Sequence, residues 1–298
     1  MGIVFALLSM LCFAGNMFIT RAAMSRMGMG TGFPVVLAVN IAFAALVFGI
    51  ERLFSVTPFS FQLKAAGLFA LSGVVGIYLG RRMLFEAVHL LGPARASVLH
   101  TASPVVTLIA AWVLVDERLG LYEILLMVLV IAGLLATQLQ HARAGPALVG
   151  DRAAFRHALL LSLLTVVGFG VGNVFRGMAI REWHEAALGA LLGSGAALLC
   201  QLATGSTIGA ILDGLRKGNR MAIGLYVASG VATVSGTMFS AMAMQRIEIA
   251  IATVVTYTTP LVVFPISVLL LKNREQLNLR TGVGALMVFV GIVLLALR

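Results

Sequence analysis

Runs of about twenty apolar residues, separated by short charged or Gly/Pro-containing breaks, recur from one end of this chain to the other. A helix needs roughly 20 such residues to cross about 30 Å of hydrocarbon, so each run is a candidate membrane span. Ten are read, near residues 3–20, 33–50, 65–87, 96–115, 121–139, 157–177, 186–204, 222–244, 249–271 and 281–297. Only 11% of the 298 residues are charged and 60% are hydrophobic, against about 25% charged in a soluble domain. A water-soluble fold of this length has no interior large enough to hide that surface. The expected fold is all-α and integral to the membrane, with ten transmembrane helices and little outside the bilayer.

The second half of the chain repeats the first. Ala14-Gly15-Asn16-Met17-Phe18 falls on Val171-Gly172-Asn173-Val174-Phe175 at a shift of 157, and Ser103-Pro104-Val105-Val106 on Thr259-Pro260-Leu261-Val262 at 156. Glu117 meets Glu275 and Gly133 meets Gly291, both at a shift of 158. These landmarks divide the chain into a five-helix repeat over residues 1–140, a linker over 141–156 and a second five-helix repeat over 157–298. Five is odd, so the second repeat enters the bilayer from the side opposite to the first. Such inverted repeats give secondary transporters two mirror-related states around a central site.

The formal charge is +10, but the 21 Lys and Arg are spread over nearly every inter-helix loop, and no zinc or helix-turn-helix pattern accompanies them. They read as topology signals and lipid-headgroup contacts, with no nucleic-acid partner. Cys12 and Cys200 both lie in apolar runs and supply neither a disulfide framework nor metal spacing. The first twenty residues lack a basic leader and read as a permanent helix.

Several further stretches carry a resemblance. Ala94-Arg95-Ala96-Ser97 leads into Pro104, followed by Leu114-Val115-Asp116-Glu117-Arg118-Leu119 and Ile131-Ala132-Gly133-Leu134-Leu135; Pro260, Leu277 and Gly291-Ile292-Val293-Leu294-Leu295 keep the pattern in the second half. Over essentially its full length the chain resembles the EamA-type ten-helix carriers of the drug/metabolite transporter superfamily. The second copy is degenerate, with Lys272-Asn273-Arg274-Glu275-Gln276 in place of the Glu-Arg signature. The resemblance implies a pseudo-two-fold bundle in the cell (inner) membrane. Its central cavity would be lined by the first, third and fourth helices and their repeat mates, and its small-metabolite cargo would commonly move outward. It does not choose among amino acids, sugar derivatives, nucleobases and other solutes.

The third helix is the most informative element. Gly73, Gly76 and Gly80 are spaced by three and four and form a smooth ridge for close helix packing. Arg81 and Arg82 lie some ten residues before Leu91, at a depth of about 15 Å at 1.5 Å per residue. A charge at that depth faces a cavity or a partner. Arg82 and Glu86, four apart, can neutralise each other. Arg81 points away from that pair, and two roles stay open for it: binding a carboxylate or phosphate through its planar fork, with Tyr78 a turn away on the same face, or snorkelling to headgroups.

Asn16 and Asn173 occupy matching places in apolar helices, where an amide must bond to another helix or to cargo. Arg176 follows Asn173 by three residues, near the expected helix end, and Gly168, Gly170 and Gly172 precede it, as packing surface or as a hinge. Pro104 and Pro260 are expected to kink their helices, with neighbouring hydroxyls satisfying the freed backbone groups. His100 and Tyr257, offset by one residue in the repeat, are the cavity candidates beside those kinks. Glu86 is the acid lying clearly within an apolar run, and its readings are counter-ion to Arg82 or proton carrier.

No G-x-S-x-G, H-E-x-x-H or membrane aspartate pair is present, so no enzyme, metal site or cofactor is expected. The function read is a secondary transporter of a small anionic or zwitterionic metabolite, an amino acid or organic acid, working as a monomer or homodimer; a lipid-headgroup flippase or channel is the alternative. Six basic residues fall on the side of the termini and twelve on the other. The positive-inside rule then puts the termini outside, whereas the resemblance implies cytoplasmic termini.

Overall fold

The computed structural model describes residues 1–55, 58–91, 99–144, 152–204, 219–263 and 279–297. All of its secondary structure is helical among the described residues. In chain order we name α1 (Gly2–Met24), α2 (Met29–Phe54), α3 (Leu63–Ser72, Gly73–Gly80 and Arg81–Leu91 in continuous succession), α4 (Ser103–Val115) and α5 (Leu121–Ala144). The second half supplies α6 (Arg152–Glu182), α7 (Ala186–Thr204), α8 (Arg220–Met244), α9 (Ile249–Tyr257) and α10 (Leu279–Ala296). Six of these helices contain spans long and apolar enough to cross a membrane, and Ser103–Val115, Leu121–Thr137, Ile249–Val263 and Gly282–Leu295 are shorter apolar helices. Large side chains such as Leu53, Trp112, Leu125, Leu163 and Phe289 are exposed on the outside of the bundle, as expected where lipid is the solvent.

Of the expected linker at 141–156, the described residues are helical, since α5 continues to Ala144 and α6 begins at Arg152. α6 also runs on to Glu182, beyond the end expected near 177. Its last turn is fastened by Arg181, which donates to the carbonyls of Met244 (3.1 Å) and Ile247 (3.2 Å), and by an ion pair from Lys64 to Glu182.

Packing partners obey an exchange rule between the halves. α1 packs on α8 as α6 packs on α3; α2 meets α8 as α7 meets α3; α1 meets α9 as α6 meets α4; α2–α7, α4–α9 and α5–α10 pair across the exchange with themselves. Glycines make this possible. A β-carbon on Gly133 would lie 2.6 Å from the Gly284 carbonyl and 2.9 Å from Val288 Cγ2; one on Gly291 would meet the Leu126 carbonyl and Val130 Cγ2, their repeat equivalents. Gly73 lies against the Gly193 backbone, and its mate Gly230 against Val39 and the Val36 carbonyl. Gly76 faces Gly172, so α3 and α6 approach nearly backbone to backbone, and Ser72 Oγ donates across that contact to the Gly172 carbonyl at 2.8 Å. Gly168, Gly170 and Gly172 of α6 are packing surface: Gly168 and Gly172 face α3, while Gly170 faces Ser103 and Val106 of α4.

At both prolines the helix is broken and restarted rather than bent in one continuous run. Pro104 opens α4, and Pro260 follows a turn at Thr258. Each marks a break and a restart of the helix, where proline's fixed φ and missing N–H fit the first turn. The two breaks carry the same bonds. The Ala102 N–H donates to Leu99 O (3.0 Å) and the Val105 N–H to Ala102 O (3.0 Å), while Thr258 N–H donates to Val255 O (3.1 Å) and Leu261 N–H to Thr258 O (2.8 Å). A hydroxyl does serve the freed carbonyl there, Thr259 Oγ1 donating at 2.9 Å to Thr256 O, which Pro260 leaves without an N–H, while Thr258 Oγ1 shares Val255 O at 2.6 Å with its own N–H.

At the end of the bundle holding both termini, three ion pairs join the halves: Arg52 to Glu185 (3.0 Å), Lys64 to Glu182, and Arg181 to Glu117 (3.7 Å). The Asp-Glu-Arg signature acquires a structural meaning here. Asp116 closes α4 in the left-handed region at φ 52, which Asp tolerates better than most residues. The next residue, Glu117, then faces Arg181 and the N–H groups of Ile249 and Ala250 at the start of α9, where the helix end favours negative charge. Arg118 turns back to Asp116 at 3.0 Å. The Ala94–Ser97 stretch, Glu275 and the 272–277 segment lie outside the described residues.

Candidate functional site

Between α1, α2, α3, α6, α8, α9 and the turn that precedes α4 (His100 and Thr101) lies a cavity of about 420 Å³, within the range of small-molecule sites. The packing explains its position. Glycine contacts draw α3 onto α6 and α7, and the broken α4 and α9 leave polar residues facing the middle of the bundle.

Of the residues singled out from the sequence, Arg81, Asn16, Asn173, Arg176, His100, Tyr257 and Pro260 line this one cavity. Arg176 is not interfacial as its place near the expected helix end suggested, since α6 continues almost two turns past it. Its Nη1 donates to Asn173 Oδ1 at 3.3 Å. Arg81 makes no hydrogen bond or ion pair among the described residues, and its guanidinium carbon stands 5.4 Å from the centre of the Phe33 ring. His100 packs between Phe169 (4.6 Å) and Tyr257 (5.4 Å, ring planes 26° apart). The Tyr257 hydroxyl faces Asn173 and Ser103, but Asn173 Nδ2 and Ser103 Oγ are buried without a hydrogen bond of good geometry. Asn16 Oδ1 accepts from Thr20 Oγ1 (3.1 Å) and Ser229 Oγ (2.6 Å).

Tyr78, Arg82 and Glu86 are placed elsewhere. Tyr78 is buried on another face of α3 with Phe33, Leu37 and Ala197; its hydroxyl bonds to Thr204 and accepts from Arg82 Nη1 at 2.8 Å. The reason is the π-helical turn over Gly73–Gly80. A turn that closes five residues on rather than four rotates Arg81, three residues on, farther from the face of Tyr78 than an α-helical turn would, and leaves Arg82, four residues on, beside it. Glu86 pairs with Arg82 at 3.7 Å on a half-exposed face and is not among the cavity residues. Pro104 is buried at the start of α4 outside the lining.

Sequence reasoning missed the wall supplied by α8. Thr233, Thr237 and Ser240 all line the cavity, and their spacing of four and three is a hydroxyl stripe on one face of an apolar helix. Asn40 was missed as well; with its amide nitrogen turned inward it donates to the carbonyls of Gly230 (2.8 Å) and Val36 (2.9 Å). Among the described lining residues two carry guanidinium groups and none is acidic.

The profile of the EamA-like transporter family matches residues 1–138 and 156–297. The chain belongs to the EamA-like transporter family. Two matched segments agree with the exchange rule in the packing, and membership makes this a multi-pass membrane transporter of small molecules. One solved crystal structure superposes on the EamA-like chain with a TM-score of 0.76, covering 99% of this chain and 98% of that one at 14% identity, which shows a shared fold. No curated protein matches it in sequence.

Proposed function

We propose that this EamA-like chain is a secondary carrier that moves a small anionic or zwitterionic metabolite by alternating access. All ten helices would span the membrane as two inverted five-helix repeats. The observation that supports the cargo class is the pair Arg81 and Arg176 in one cavity, neither with a carboxylate partner among the described residues. Charges at such depth are costly unless something neutralises them, and a bound anion does so.

The exchange rule in the packing supports alternation. Two halves with equivalent contacts can swap conformations to give a mirror-related state. The cross-half ion pairs at the end holding the termini support a state closed there. We place the protein in the cell (inner) membrane with cytoplasmic termini, exporting rather than importing, and without enzymatic chemistry.

The test is counterflow in proteoliposomes loaded with candidate organic acids and amino acids. A carrier gives saturable, trans-stimulated exchange. Arg81→Gln and Arg176→Gln are each expected to lower it by about 10- to 100-fold, the loss of a charge-assisted hydrogen bond of about 1.5–3 kcal/mol. Flux that never saturates would identify a channel, and wild-type exchange by both variants at normal expression would remove the two arginines from the site.

A further inference from the structure

The carrier reading leaves open whether the cargo is a plain anion or a zwitterion. Resting on that reading, we propose that the cavity takes a carboxylate without an ammonium group: an organic acid with an apolar body, in preference to the amino acid of the same skeleton.

The wall offers donors. A guanidinium has five N–H groups and no acceptor, and Arg81 commits none of its own to the described protein. Arg176 spends one on Asn173 Oδ1. Because that partner can only donate, the Asn173 oxygen is fixed toward it, and the amide nitrogen, a donor, is left beside the Tyr257 hydroxyl without a hydrogen bond of good geometry. In the repeat mate the oxygen is spent too, since Asn16 Oδ1 accepts from Thr20 and Ser229. The hydroxyls of Thr233 and Thr256 are likewise buried without partners, behind the lining surface. A carboxylate, which only accepts, answers the guanidinium donors of Arg81 and Arg176 on that lining.

An ammonium group does not. It needs acceptors and a counter-charge, and the described lining contains two cations and no acid. Aromatic faces are the other place where a cation settles. Here the rings of Phe169 and Tyr257 are already stacked on His100, and Phe33 lies under Arg81. An α-ammonium would therefore enter beside two guanidiniums with its hydration removed and only neutral hydroxyl and amide oxygens, with no counter-charge, to replace it. The apolar surface of Phe13, Leu84 and Phe169 suits a hydrocarbon or aryl body.

Matched pairs on the unmodified full chain test this without a variant that risks misfolding. Labelled phenylpyruvate and 4-methyl-2-oxopentanoate are compared with phenylalanine and leucine in proteoliposome counterflow at neutral pH, with thermal shift of the purified protein as a second readout. The 2-oxo acids are expected to exchange saturably at least tenfold faster and to raise the melting temperature where the amino acids do not. Equal or faster exchange of the amino acids overturns the preference and leaves a carrier standing. Absence of saturable exchange for both classes overturns the preference and the carrier reading together.

Discussion

At the two helix breaks beside the cavity, the backbone repeats and the side chains do not. Ala102 and Thr258 hold the same position in the same pair of hydrogen bonds, yet His100 stands where the second half has Thr256, and Thr101 where it has Tyr257. The wider comparison runs the same way. Glycine contacts of α5 with α10 and of α3 with α7 have mates in the other half, whereas Arg81 has Met238 as its mate and Arg176 has Ile19. On the carrier reading proposed above, a frame that packs in two mirror-related states would be held to its repeat. A lining that meets cargo would have no such constraint.

Breaking the frame is expected to have the largest effect, and an equal one in either half. Gly133→Val and Gly291→Val each drive a branched side chain into a carbonyl and a valine of the facing helix. Overpacking of this kind costs about 1–3 kcal/mol or more; at Gly133 the nearest contact is the Gly284 carbonyl, and at Gly291 it is the Val130 side chain at 2.4 Å with the Leu126 carbonyl at 3.4 Å behind it. Both variants should lose the monodisperse peak in size-exclusion chromatography. If one of the pair is tolerated at the wild-type melting temperature, the symmetric frame is wrong at that contact.

The lining should respond asymmetrically. Asn16 is held by two hydroxyls within the protein, whereas Asn173 accepts from Arg176 and its nitrogen, beside the Tyr257 hydroxyl, has no hydrogen bond of good geometry. Asn173→Ala removes the partner that orients Arg176, and a several-fold rise in the counterflow KM is expected, from about 1 kcal/mol for a hydrogen bond. Asn16→Ala leaves Thr20 and Ser229 bonded to each other at 2.8 Å and should change KM less than twofold. Equal effects from the two would show that the amides act as a symmetric pair.

How much of this was legible in the sequence follows the same division. The frame was readable because Gly133, Gly291, Pro104 and Pro260 are backbone requirements, and a backbone requirement leaves a residue type at a fixed offset. The lining was readable where one residue is costly in an apolar run, as with Arg81, Asn16 and Asn173. Tyr78 was misplaced because its reading assumed an α-helical turn, and no residue type announces the π-helical turn that the packed glycines accompany. The hydroxyls of α8 were missed because Thr and Ser are cheap in a membrane helix, where each can bond its own backbone, as Thr237 does to the Thr233 carbonyl at 2.9 Å. Only their common face gives them away.

The smallest effect is expected away from both frame and lining, at Glu117. Burial pushes its carboxyl above the ordinary value, while Arg181 and the N–H groups of Ile249 and Ala250 pull it back. A carboxyl whose folded pKa is raised contributes stability that is fully present below the unfolded value, about 4.3, and is lost as pH rises through the folded value. At neutral pH the buried charge is therefore a net cost. Glu117→Gln keeps an acceptor for the α9 N–H groups and removes that cost, while Arg181 retains the Met244 and Ile247 carbonyls. The melting temperature of the variant minus that of the wild type should accordingly be larger at pH 7.5 than at pH 5, by about 2 °C or less, in differential scanning fluorimetry in detergent. If the variant instead loses ground as pH rises, attraction to Arg181 outweighs desolvation, and the ion pair is a true fastening of the two halves at that end of the bundle.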